Sequence, residues 1–192
     1  MRPTVARSFA VAAVTVVAMA AGCKKESGAI PTTPPPPTST AAPGAVFAAD
    51  GIGPYVIGTT LSDLRTRALV TGVSESPHCA DAKGAEATGP YAGQITLSFK
   101  ADRLTAVNTN STALVTPSGA RVGMTLAQLL AVYGSRGTLI TGTLGNKAYV
   151  VRVLGSGLGI VFYLDATFTR VAAMSGGEAT PLEDAARVGE GC

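Results

Sequence analysis

One short pattern occurs twice, 65 residues apart, and constrains the fold more than any other feature of the chain. Val56-Ile57-Gly58-Thr59-Thr60-Leu61-Ser62-Asp63-Leu64 corresponds to Arg121-Val122-Gly123-Met124-Thr125-Leu126-Ala127-Gln128-Leu129, with Gly-x-Thr-Leu-x-x-Leu in common. Each occurrence has the chemistry of a helix start. Gly58 and Gly123 permit a turn, and the hydroxyl of Thr60 or Thr125 can accept from a free backbone N–H. Leu61 with Leu64, and Leu126 with Leu129, then share one helix face. The second helix is predicted to continue through Leu130, Val132 and Tyr133 and to stop at Gly134. The first is predicted to run through Ala68 and Leu69 to Gly72.

Segments that read as paired strands follow both helices. Gln94 to Phe99 alternates apolar and polar residues, and Lys100-Ala101-Asp102-Arg103 turns it into Leu104 to Thr109. In the second half Gly159 to Leu164 is followed by Asp165-Ala166-Thr167 and by Phe168 to Met174, so that Asp102 aligns with Asp165. Both read as β-hairpins. Ala148 to Leu154 and Thr138 to Thr143 add two strands to the second half. The prediction is an α+β domain over 47–192, with tandem copies at about 52–110 and 118–175. Its helices are expected on one face of an antiparallel sheet. A unit of about 65 residues cannot bury a sheet face alone, so the copies are expected to pair.

The N-terminus is of another kind. The chain has 192 residues, a mean hydropathy of +0.33 and only 14% charged residues, against roughly 25% in ordinary globular domains. Arg2 and Arg7 precede a thirteen-residue run, Phe9 to Ala21, interrupted only by Thr15. That run is too short to cross a hydrocarbon core, which needs about 20 residues, and it reads as a signal peptide over 1–22. It ends in Ala20-Ala21-Gly22-Cys23, which resembles the bacterial lipobox. The resemblance implies diacylglycerol on the Cys23 thiol and cleavage just before it, with Ala20 where Leu is more usual. Residues 23–46 form a Pro/Thr-rich linker with four consecutive prolines at 34–37. In a polyproline II conformation of about 3.1 Å per residue it would reach roughly 60 Å. The expected location is therefore the outer face of the cell membrane, anchored by lipid.

Removing these tails resolves the charge. Arg2, Arg7, Lys24 and Lys25 are four of the fifteen basic residues and Glu26 is one of the twelve acidic ones, leaving eleven of each in the domain. A neutral domain without a basic stripe or an aromatic stacking platform excludes a nucleic-acid partner. The cysteines divide similarly. With Cys23 lipidated, Cys79 and Cys192 remain as an even pair in an oxidising compartment, and a bridge between them is expected to close a loop of 113 residues.

No catalytic or metal-binding constellation emerges. His78 is the only histidine; beside Cys79 and Asp81 it lacks the third and fourth ligands of a metal site. There is no Gly-x-Ser-x-Gly elbow. Leu154-Gly155-Ser156-Gly157-Leu158-Gly159 lacks the Lys-Ser/Thr of a phosphate-binding loop and reads as a hairpin turn. Glu178, Glu183, Asp184 and Glu190 read as a solvated tail. No cofactor, no metal and no enzymatic activity are predicted.

The two motif copies, with Gly72 and Gly134, resemble the β-lactamase-inhibitor-protein fold and the small outer-membrane-assembly lipoproteins related to it, over most of residues 52–175. That resemblance implies a non-catalytic protein-binding scaffold in the cell envelope. The chain is also similar to uncharacterised lipoproteins of high-GC Gram-positive bacteria that end in Glu-Gly-Cys, as Glu190-Gly191-Cys192 does here. The resulting expectation is a monomeric, lipid-anchored protein whose domain binds an envelope protein or a cell-wall component. The alternatives are a cell-wall hydrolase or peptidase using His78, and a small-ligand-binding lipoprotein.

Overall fold

In the computed structural model, which describes residues 45–77 and 79–189, both occurrences of the repeated motif open a helix. After a small antiparallel ribbon, β1 (Gly51–Ile52) with β2 (Tyr55–Val56), Thr60 caps α1 (Leu61–Thr66). Thr125 caps α2 (Leu126–Tyr133). In each case the threonine Oγ1 accepts from a backbone N–H three residues on, that of Asp63 at 3.1 Å and of Gln128 at 3.2 Å. Gln128 is long enough to reach back, and its Oε1 accepts from the Thr125 N–H at 2.8 Å, completing a capping box. Leu61, Leu64 and Leu129 are buried and Leu126 is half-buried.

The glycines before the caps tie each helix start to a strand. Gly58 and Gly123 have φ of +91° and +88°, and their N–H groups donate to the carbonyls of Leu104 and Val171 at 2.7 and 2.8 Å. The N–H groups of Leu61 and Leu126 donate to Asp102 and Thr169, both at 2.9 Å. The guanidinium of Arg103 donates to the Gly58 carbonyl at 3.2 Å, and that of Arg170 to the Gly123 carbonyl at 3.0 Å. Asp102 therefore corresponds in position to Thr169, and Arg103 to Arg170; the expected match of Asp102 with Asp165 fails. The reason is turn length. Ala101 and Asp102, at φ +47° and +64°, make a tight two-residue turn, whereas residues 165–170 separate the corresponding strands of the second half.

Each helix is followed by four strands in a meander. After α1 come β3 (Val70–Glu75), β4 (Ala82–Ala87), β5 (Thr96–Lys100) and β6 (Arg103–Thr109). After α2 come β7 (Gly137–Thr141), β8 (Lys147–Arg152), β9 (Leu158–Leu164) and β10 (Val171–Glu178). They form one antiparallel eight-stranded sheet in the order β3-β4-β5-β6-β10-β9-β8-β7, so the chain is α+β. The meanders meet where Met174 pairs with Thr109 and Gly177 with Ala106. The segment Leu154–Gly159 lies at the β8–β9 turn and at the start of β9.

Three local expectations are corrected. First, α1 stops at Thr66, and Gly72 does not end it. Ala68 takes φ +53° and donates to the Arg65 carbonyl, while Leu69 donates to that of Leu64, which closes the helix in a Schellman arrangement. Gly72, at φ +59°, instead lies within β3 where its register with β4 shifts. Second, the two expected helices, α1 and α2, both pack on the inner face, but they are not the only helices on the sheet. The inner face buries Leu97, Phe99, Leu104, Tyr149, Phe162 and Met174 against Phe47 and the leucines of α1 and α2. The third correction supplies the exception, because residues 179–188 form a helix, α3 (Ala179–Val188), where a solvated tail was expected. Its Leu182 and Ala186 pack on Ala106, Ile140, Ala148, Val150 and Val161 of the outer face. Spaced four apart, they make a narrow apolar stripe. Gly159 lets α3 begin close to the sheet, since a Cβ there would lie 3.2 Å from that of Ala179.

No helix among the described residues is long and apolar enough to cross a membrane.

Candidate functional site

Strand alternation decides what the outer face presents. Where β4, β5 and β6 bury Ala85, Leu97, Phe99 and Leu104 on the inside, the intervening positions point outward: Gly84 and Glu86, Thr96 and Ser98, Ala106 and Asn108. The same alternation puts Ser175 and Tyr163 outward on β10 and β9. Most of these side chains are small. An exposed sheet face usually carries long polar side chains that fill the space above it; here α3 stands as a wall beside a low floor.

The floor carries two linked hydrogen bonds across three strands, β10, β6 and β5. Ser175 Oγ donates to Asn108 Oδ1 at 2.7 Å, and Asn108 Nδ2 donates to Ser98 Oγ at 3.0 Å. At the other end Tyr163 of β9 borders the same concavity as Ser175. Burial pushes the Tyr163 phenol above its ordinary value, and Ser175 partly offsets the shift. Ser175 itself is buried. Ser98, Asn108 and Ser175 therefore hold one another in fixed orientations.

Two concavities meet on this line, both bordered by Asn108 and Tyr163. One, of about 280 Å³, lies between Leu182 and Ala185 of α3 and the β3–β4 turn at Ser76 and Cys79. The other, of about 400 Å³, opens toward Glu86, Thr96 and the Gly93-Gln94 segment. Gln94 is buried; its Nε2 donates to the Pro90 carbonyl at 2.7 Å, while its Oε1 has no partner among the described residues. On the far side of α3, Glu183 Oε1 accepts from Arg152 Nε at 2.6 Å and pins the helix to β8. That bond is the main cause of the raised Arg152 pKa. Chemically the arrangement offers recognition: hydroxyl, amide and phenol groups in a fixed row, flanked by Lys83, Lys100 and Glu178.

The residues singled out in the sequence lie elsewhere. Leu61, Leu64 and Leu129 lie in the inner core, Gly58, Thr60, Gly123, Thr125 and Leu126 shape the helix starts, and none of them lines the two concavities. Cys79 lies in the β3–β4 turn beside the smaller concavity and is disulfide-bonded. Its partner falls outside the described residues, as do Cys23, His78 and Cys192. Among the described residues no group of three or more His, Cys, Asp or Glu side chains could hold a metal ion. Ser98, Asn108, Tyr163 and Ser175 escaped the sequence reading because they come from four separate strands and no local pattern joins them.

No protein-family model matches the chain, and no curated protein does. Among solved structures the chain is similar to the uncharacterized protein yfeY from Escherichia coli, with 13% identity and a TM-score of 0.45 over 69% of this chain and 99% of that one. It is also similar to a cysteine-rich secretory protein from Staphylococcus aureus, with 11% identity and a TM-score of 0.44 over 75% of this chain. The match spans about half, 52%, of that second protein.

Proposed function

We propose that the chain is a lipid-anchored cell-envelope protein, held by an acylated Cys23, whose domain binds a protein or cell-wall partner without catalysis along the open half of its outer sheet face. The observation that carries this reading is the hydrogen-bonded polar row Ser175-Asn108-Ser98, with Tyr163 beside it, at the foot of α3. A partner segment laid in the trough would meet groups already oriented, so little side-chain entropy would be lost on binding. The domain is read as two tandem copies of a helix and a four-stranded meander. Support comes from the matched contacts of Gly58 and Gly123, and of Arg103 and Arg170. Cys79 is read as bridged to Cys192.

A photoreactive residue in place of Ser98, in chain anchored on living cells, is expected to give a discrete cross-linked species. The same residue in place of Arg67, which is exposed beyond α1, serves as the comparison. Equal adducts at both positions would count against the trough. The anchor and the bridge are checked by intact mass. Mature protein should begin at Cys23 with a diacylglyceryl increment, and peptide mapping without reduction should join Cys79 to Cys192. An unmodified Cys23, or a free Cys192 thiol, overturns the corresponding part.

A further inference from the structure

A cavity larger than either concavity of the trough lies on the opposite side of the sheet. It measures about 730 Å³ and lies between the N-terminal segment at Ala48–Asp50, the end of α2 and the strands β8 and β9. Its wall is apolar: Tyr133, Val151, Leu158 and Ile160 line it. Tyr133 and Ile160 also belong to the buried core, so this surface is held rigidly from behind. At the lip stand Val153 and Leu154, 46% and 96% exposed. One fully exposed leucine is unremarkable, but two apolar residues continuing the wall of an apolar cleft extend the surface that an apolar ligand would cover.

Polar groups at the mouth narrow the ligand class. Arg152 is neutralised by Glu183. Arg136 is different, having no carboxylate partner among the described residues. Its Nη2 donates to the Val132 carbonyl at 2.7 Å, and its guanidinium lies 5.4 Å from the centre of the Tyr133 ring. The guanidinium is thus fixed where the apolar wall ends. Asp50 is the one carboxylate that lines the same cavity. A single unpaired cation accompanied by a carboxylate favours a monoanionic head over a dianion such as a phosphate monoester.

We propose that this cavity binds a long-chain carboxylate, with the alkyl chain against Tyr133, Val151, Leu158 and Ile160 and the head group on Arg136. The site is separate from the trough and stands independently of the function proposed there.

Calorimetric titration of the full chain carrying Cys23→Ser, so that no acyl group of its own can enter, tests the assignment. The probes are octanoate, decanoate and dodecanoate below their micellar concentrations, with decanol as the neutral comparison. Affinity should rise with chain length by up to about fourfold per methylene, the factor equivalent to burying one CH₂. Arg136→Gln should weaken decanoate at least tenfold and leave decanol within twofold. Asp50→Asn should tighten decanoate severalfold. Ile160→Trp, which fills the cleft, should abolish binding of both; should that variant not fold, Leu158→Phe serves instead and should weaken both. Absence of heat for all three carboxylates, affinity independent of chain length, or equal loss of decanoate and decanol in Arg136→Gln would each overturn the proposal. The last result would mean that Arg136 serves only to cap α2.

Discussion

Ala68 carries a conformation that its side chain disfavours. At φ +53° it closes α1 in the left-handed region, where glycine usually stands, and its methyl group is exposed to solvent. Holding a non-glycine residue there costs roughly 1–2 kcal/mol, while the larger unfolded-state entropy of glycine would return about 0.5–1 kcal/mol of that. Ala68→Gly is therefore expected to raise stability by about 0.5–1 kcal/mol, read as a higher urea midpoint at unchanged slope. A lower midpoint would mean that the methyl group makes a contact worth more than the strain. The second helix shows the ordinary solution, because Gly134 ends it at φ +53° and its N–H donates to the Leu130 carbonyl.

Among the elements, those written in local chemistry were legible and those created by their neighbours were not. Thr60 and Thr125 announce α1 and α2 because capping is decided within four residues. The inner hairpins of each half were legible, β5 with β6 from two-residue alternation and β9 with β10 from an apolar run closed by the polar turn at Asp165. By contrast β4 reads Ala-Lys-Gly-Ala-Glu-Ala, a composition that favours helix apart from its glycine. It becomes a strand because β3 and β5 pair with it on both sides and bury Ala85 and Ala87. β3 was concealed by Gly72, which looked like a helix terminator and is an irregular position in a strand. α3 has only Ala179, Leu182 and Ala186 to bury, too narrow a stripe to stand out against Glu178, Glu183 and Asp184. The trough was not legible for the same reason at longer range. Ser98 and Ser175 are 77 residues apart and belong to one row only because β6 and β10 lie side by side.

At the scale of the molecule the β6–β10 seam decides whether either half can fold by itself. Each half has its own aromatic contact: Tyr55 meets Tyr91 edge-on at 5.6 Å, and Tyr133 meets Phe162 at 5.5 Å. Yet one core runs through both, from Phe47, Leu97, Leu104 and Leu114 to Leu129, Tyr149, Phe162 and Met174. The N-terminal segment crosses the seam so closely that a Cβ on Gly176 would lie 2.6 Å from the Ala48 carbonyl oxygen. Cutting the chain after Asn110 would expose the whole length of β6 as an open edge. It would also strip the inner face of its neighbours in the second half, in a fragment of a size that is only marginally stable. The full chain, with its disulfide intact, should therefore lose far-ultraviolet dichroism and tyrosine fluorescence in one coincident urea transition. Tyrosines in both halves, Tyr55 and Tyr91 in the first and Tyr133, Tyr149 and Tyr163 in the second, report on it. A chain ending at Asn110 should show no cooperative transition. Two separable transitions in the full chain, or a cooperative one in the fragment, would show that the seam joins two halves already stable and that the shared core is not what holds them.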